Sequence, residues 1–279
     1  MGEPSIRQDV LHFVPQGPEP MRVLAIDECA LLPRLLERLP EARVTAVTRF
    51  AGLALPAAVS ARVPLLHADV RRDDLPLPAG SFDLILAPHV LTEALDPYAC
   101  LLGLSHLLTD VGRLVTSFLN VRAIGVLRAL QAGEFPFRDE RLYAKAEVVR
   151  LLNDALFKEI TFAPGARARA EADGEAWRQM GFVDPSQDLE TSVWLVRADR
   201  STAAVAALKS LYTKETRAEL ARVLHRIEYG VGVEENTERL RALCAREGIF
   251  FDYLEDFIEE TVVHPARLQD AVNACFQER

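Results

Sequence analysis

Residues 22–48 read RVLAIDECALLPRLLERLPEARVTAVT, and the fold is decided there. RVLAID (22–27) is an apolar run of strand length that can be buried on both faces. LLPRLLERLP then sets leucines at helical spacing, and RVTAVT (43–48) is a second run, rich in β-branched residues. A strand, a helix and a strand in so short a span make a βαβ unit, which joins parallel strands.

Working outward, the alternation continues. PLLHAD (64–69), FDLILAP (82–88), GRLVTSFL (112–119), KEITFA (158–163) and TSVWLVRA (191–198) read as further strands, with the helix YACLLGLSHLL before the fifth. GARARAEADGEAW (165–177) is polar and alanine-rich, a surface excursion. Seven strands with interleaved helices predict a doubly wound, mostly parallel α/β sheet of Rossmann-like type with one antiparallel edge strand. Upstream, SIRQDVLHF (5–13) places Ile6, Val10, Leu11 and Phe13 at helical spacing, and PQGPEP stops that helix.

After Asp199 the strand signals stop, so the expected domains are 1–198 (α/β) and 199–279 (small and helical). Ser201 is placed to cap a helix running with interruption to Tyr229, ended by Gly230 and Gly232. EENTERLRALCAREG is an amphipathic helix closed by Gly248. Asp252 and Glu255 have capping-box spacing, and His264-Pro265 opens a last helix. The acidic run DYLEDFIEE reads as a solvated face with Leu254, Phe257 and Ile258 inward, or as a docking surface for a basic partner. Phe250, Phe251 and Tyr253 make a core cluster or a contact for a protein partner or a second copy.

Hydrophobic residues are 49% and charged residues 26% of the 279, ordinary globular composition, and the net charge is −9. That charge repels phosphate backbones and anionic membranes, which sets nucleic acid and lipid aside as partners. No apolar run approaches the ~20 residues that cross a bilayer, and none follows a basic start, so a cytoplasmic chain is expected. Cys29, Cys100, Cys244 and Cys275 lack metal-ligand spacing and read as reduced thiols; no metal is expected.

Strand order alone leaves function open. In IRQDVLHFVPQGPEPMRVLAID, however, Arg7, Asp9, Val10, Leu11, Pro15 and Gly17 fall in the pattern Arg-x-Asp, two aliphatics, Val-Pro-x-Gly. This resembles the opening of a branch of class I S-adenosylmethionine-dependent methyltransferases found beside, or fused to, bacterial glycosyltransferases. HADVRRDDLPLPAGSFDLILAPHVLTEALDP resembles the long middle motif of that branch, with Asp69, Leu75, Pro76, Gly80 to Asp83, Pro88 to Leu91, Asp96 and Pro97 in register. FLNVRAIGVLRALQAGEF resembles the stretch after the fifth strand. The resemblance covers about residues 5–198. It implies a methyltransferase fold and a setting in bacterial glycan assembly.

The resemblance also implies where S-adenosylmethionine would sit, at the carboxyl ends of strands one, two and four. A glycine-rich turn normally follows strand one, but Asp27, Cys29 and Leu31 fill its glycine positions and Glu28 lies between the first two. A ribose-binding acid normally ends strand two, and this one ends Thr48-Arg49. A threonine presents one hydroxyl oxygen where a carboxylate presents two, so the contact to the paired ribose hydroxyls is weakened. Asp69 stands where the branch places an acid at the adenine amino group, with Val70 beside it. Leu91-Thr92-Glu93 replaces Leu-Glu-His, and RDERLYAKAEVV lacks the histidine and arginine of the acceptor motif.

Two readings follow. Either the cofactor binds through an altered turn, Asp27 or Glu28 taking the methionine ammonium while Thr48, Asp69, Val70 and Pro88 line its site, or the fold persists as a scaffold around an eroded site. Four losses at one pocket, each worth roughly 0.5–1.5 kcal/mol, favour the scaffold. His89 is the candidate general base of an active enzyme acting on a sugar or glycan hydroxyl, and a plain loop histidine otherwise. A cleft turned to another nucleotide or nucleotide-sugar is the third reading.

Overall fold

A computed structural model describes residues 10–72, 75–135, 140–167, 173–183, 188–202 and 211–276. The chain divides into two compact units, residues 1–201 and 202–279. In the first, RVLAI forms β1 (Arg22–Ile26), and a short 3-10 turn leads into α1 (Leu32–Arg38) and β2 (Arg43–Thr48). Next come α2 (Ala57–Ser60), β3 (Leu65–His67), β4 (Phe82–Leu86), α3 (Val90–Glu93), α4 (Pro97–Leu107) and β5 (Leu108–Asn120). The unit closes with α5 (Ile124–Gln131), β6 (Leu142–Tyr143), α6 (Lys145–Asp154), β7 (Glu159–Arg167), α7 (Asp173–Gln179) and β8 (Thr191–Asp199).

The sheet order is β3-β2-β1-β4-β5-β8-β7, with β6 pairing the end of β5. β1 to β5 run parallel, and β8 runs antiparallel to both β5 and β7. This is a mixed, mostly parallel, doubly wound sheet of Rossmann-like type. The antiparallel strand is not at the edge, as its late position suggested. β8 is inserted between β5 and β7, which leaves β7 outermost.

Alternation along each strand builds two cores. Val23, Ala25, Leu84, Leu86 and Val115 face Leu32, Leu35 and Leu36 of α1 and the 3-10 turn at Val10–Phe13. Leu24, Ile26, Ile85, Leu114 and Phe118 face Leu101 and Leu104 of α4 and Val148 and Leu152 of α6. The register of β4 on β5 shifts between Phe82 and Leu84. Gly112 lies in that stretch because a Cβ there would stand 3.0 Å from the Phe82 carbonyl oxygen. Residues 5–9 of the expected first helix lie outside the described residues.

In the second unit, α8 (Lys214–Glu228) is capped by Thr213, whose side chain accepts from the Thr216 amide. The Ser201 hydroxyl donates to the Asp110 carbonyl at 2.6 Å, and residues 203–210, where the helix it was expected to cap would begin, lie outside the described residues. α9 (Val233–Glu247) starts at Gly232 and ends at Gly248, both left-handed. α10 (Phe251–Thr261), a 3-10 turn opened by Pro265 and α11 (Gln269–Phe276) complete the unit. α10 begins at Phe251 without a side-chain cap, so Asp252 and Glu255 form no capping box. Burying Tyr253 and Leu254 in a core with Leu220, Leu224, Leu240 and Leu268 fixes the start earlier than Asp252 would. Phe250 and Phe251 remain 48% and 37% exposed.

Candidate functional site

β1 and β4 are neighbours, yet β1 leads outward to β2 and β3 while β4 leads the other way to β5. Connections diverge above their carboxyl ends, and in doubly wound sheets that is where ligands bind. Asp27 and Glu28 leave β1 there, Thr48 and Arg49 leave β2, Asp69 to Arg71 follow β3, and Pro88 and His89 follow β4. All seven residues named from sequence therefore come to one end of the sheet.

Asp27 adopts the left-handed region at φ +55°. A side chain there costs on the order of 1–2 kcal/mol, with aspartate among the more tolerant residues. Hydrogen bonds compensate. Its amide donates to the Val47 carbonyl at 2.8 Å, and its Oδ1 accepts from the Arg49 amide at 3.0 Å and the Thr48 hydroxyl at 3.2 Å. The turn thus closes on β2 without glycine, and Thr48 is committed to Asp27.

Around that turn runs a lattice of ion pairs. Arg49 pairs with Glu93 Oε2 and lies 3.9 Å from Asp27 Oδ2. Arg71 reaches the same Glu93 oxygen at 3.1 Å and holds Asp69 with two bonds of 2.7 Å. The Arg71 bond holds the Asp69 carboxyl below its ordinary range, against desolvation. Burial would push Glu93 up, but the Arg49 hydrogen bond and the charges of Arg49, His89 and Arg71 outweigh it and hold Glu93 down. Such charge-assisted pairs are the strong kind when partly shielded from water.

Glu28 sits at the N-cap of the 3-10 turn but caps nothing with its side chain. It is 2% exposed, and His89 Nε2 lies 3.2 Å from its Oε1 in a poorly aligned contact. Among the described residues neither Glu28 oxygen has a hydrogen-bond partner. His89 also stands 4.0 Å from Glu93 Oε1. Pro88 contributes its carbonyl, which accepts from the Ser117 amide and hydroxyl at 3.2 and 2.8 Å.

The space left is small. The hollow lined by Asp27, Val70, Arg71, His89 and Glu93 measures about 10 Å³, roughly one water. A larger cavity of about 360 Å³ lies further along α4, lined by Val70, Arg71, Leu75, Cys100, Leu104 and His106, and Asp27, Glu28 and His89 are not on its wall. As these side chains stand, the residues at the switch point do not fit an adenosyl group. Leu31 does not cause this. It is buried in the core beside Leu35, and Cys29 packs against that same core. What fills the position is Arg49, Arg71 and Glu93; the sequence marked Arg49 and Glu93 only as departures from the cofactor motif and did not single out Arg71. Their one signal was position, each falling a few residues past a strand end.

Among the described residues no group of three or more His, Cys, Asp or Glu is arranged to hold a metal ion.

A protein-family model described as a methyltransferase domain matches residues 29–116, from the turn after β1 into β5. No curated protein sequence matches the chain. Among solved structures, an S-adenosylmethionine-dependent methyltransferase from Thermotoga maritima is 16% identical with a TM-score of 0.48, over 71% of this chain and 88% of that one. Geranyl diphosphate C-methyltransferase from Streptomyces coelicolor, in complex with S-adenosyl-L-homocysteine, is 16% identical with a TM-score of 0.48, over 70% of this chain and 75% of that one.

Proposed function

We propose that this chain is a methyltransferase-fold protein whose S-adenosylmethionine site has eroded, and that it serves as a scaffold or accessory protein in bacterial glycan assembly. One observation carries the erosion: the Asp27–Arg49–Glu93–Arg71–Asp69 lattice leaves a hollow of about 10 Å³ where the fold receives its cofactor. Opening it would separate charges that now neutralise each other in part shelter from water, a cost no single new contact offsets. The glycan setting is supported by the sequence resemblance over residues 5–198. The helical unit, residues 202–279, is the proposed contact for a protein partner or a second copy; net charge −9 argues against nucleic acid. Among the described residues no helix is long and apolar enough to cross a membrane.

The test is calorimetric titration with S-adenosylmethionine and S-adenosylhomocysteine, run beside a panel of nucleotide sugars. The expected result is no heat of binding for the first two at 1 mM. Binding in the micromolar range would restore the second reading, an active methyltransferase on a sugar or glycan hydroxyl. The observation favouring that reading is the approach of His89 to Glu28 at the switch point, where a histidine beside a buried carboxylate is placed to take a proton.

A further inference from the structure

Outside the sheet, one pair of nucleophilic side chains is unused by anything above. Cys244 on α9 and Cys275 on α11 are both free, and both line the wall of a cavity of about 370 Å³ beside the helical core. Cys244 is buried in the helical core, whereas Cys275 is only partly covered. The cavity is otherwise walled by Arg241, Phe250, Phe251 and Phe276. Arg241 is fixed there, its Nε and Nη2 donating to the Ala274 carbonyl at 3.2 and 2.7 Å. A guanidinium is thereby anchored one residue from Cys275.

These positions give the two sulfurs different chemistry. The hydrogen bond from Cys244 lowers the Cys275 thiol and the Arg241 charge acts the same way, against partial desolvation. The same bond, then burial, raises Cys244. A partly accessible thiolate beside a cation, with a second thiol on the same cavity wall, is the arrangement of a reactive cysteine and its resolving partner. The other partly covered cysteine, Cys29, has the opposite surroundings. Desolvation, then the carboxylates of Asp27 and Glu28, push it up.

We propose that Cys244 and Cys275 are a peroxide-oxidisable dithiol site, with Cys275 attacking and Cys244 resolving. The Cys275 thiolate attacks one peroxide oxygen and the O–O bond breaks. Cys275 becomes a sulfenic acid, and the hydroxide released takes up a proton to become water. The Cys244 sulfur then attacks the Cys275 sulfur, the S–O bond breaks, and the hydroxyl leaves with the Cys244 proton as a second water. The two thiols together lose two electrons and two protons, and the peroxide is reduced to two waters. The disulfide ties α9 to α11, so the helical unit reports the oxidation as a covalent link in its own core.

The full-length reduced chain is treated with one equivalent of hydrogen peroxide, blocked with N-ethylmaleimide and digested with trypsin. The expected product is a disulfide joining peptides 242–246 and 268–279, lost on reduction with dithiothreitol. Before oxidation Cys275 should alkylate about tenfold faster than Cys29. In Cys244→Ala, dimedone should trap a sulfenic acid at Cys275. The wild-type mapping needs no variant to fold. Both cysteines still alkylated after peroxide, or oxidation falling first on Cys29, would overturn the proposal.

Discussion

Replacing Glu93 with glutamine removes the carboxylate on which both arginines of the lattice converge, with almost no change of shape. Glu93 is 26% exposed, and Arg49 and Arg71 are 23% and 20% exposed, so solvent screens the lattice only in part. Each arginine keeps a second acid, Asp27 or Asp69, so neither is left stranded. The loss is then that of one charged hydrogen-bonding group, about 2 kcal/mol, or about 4–8 °C in the melting temperature of a unit this size. Both tryptophans, Trp177 and Trp194, lie in the first unit, so tryptophan fluorescence follows that unit alone. The pH dependence supplies a sharper check. Glu93 titrates below its ordinary value of 4.5 in the folded state. Its contribution is therefore present above about pH 4.5 and disappears as pH falls through the lower folded value. The gap between wild type and Glu93→Gln should be full at pH 7 and shrink below pH 4.5. Equal melting at pH 7, or a gap unchanged at pH 3.5, would refute the claim that this carboxylate holds the site shut.

S-adenosylmethionine at 1 mM should leave the fluorescence melting temperature unchanged, whereas a micromolar ligand would add roughly 4 kcal/mol; a rise of several degrees would contradict the eroded-site reading. Gly112→Ala should destabilise the first unit by about 1–3 kcal/mol, because its Cβ would meet the Phe82 carbonyl and Leu108 at 3.0 Å; denaturant unfolding with no shift in midpoint would show that the β4–β5 shift absorbs the methyl group. Leu254→Ala, fully buried in the helical core, should cost about 2–5 kcal/mol. Circular dichroism should register an earlier helical transition while the tryptophan transition stays put, and movement of both together would mean that the two units unfold as one.

The sheet was legible where burial on both faces forces an unbroken apolar run, as in β1 and β4. It was less so where pairing rather than composition decides. β6 is only Leu142 and Tyr143, held by the end of β5, and no residue pattern marks two residues. The lateral position of β8 likewise depends on which edge is open, which periodicity does not encode. At the site, Asp27, Glu28, Thr48, Asp69, Val70, Pro88 and His89 could be placed because each follows directly from a strand end. Their partners could not. Arg49 meets Glu93 across 44 positions and Arg71 meets it across 22, and pairing at such separations leaves no local signature. Leu31 misled for a related reason: the turn rotates it into the α1 core, away from the crevice that its glycine-like position suggested.

The insertion of β8 between β5 and β7 has a consequence for vectorial synthesis. β5 pairs with β8 from Arg113 to Leu119, and among the described residues β7 attaches to the sheet only through β8. As the chain leaves the ribosome, β1 to β5 can assemble, but β5 then ends in an unpaired ladder. Its apolar residues Leu114, Val115 and Phe118 wait for a strand that arrives about seventy residues later. β7 emerges in that interval with nothing to join. Until Asp199 has emerged, the nascent chain carries the kind of open edge that templates association between copies. A nascent chain stalled with residue 191 still inside the exit tunnel should therefore expose an aggregation-prone sheet, and one stalled with Asp199 already outside it should not.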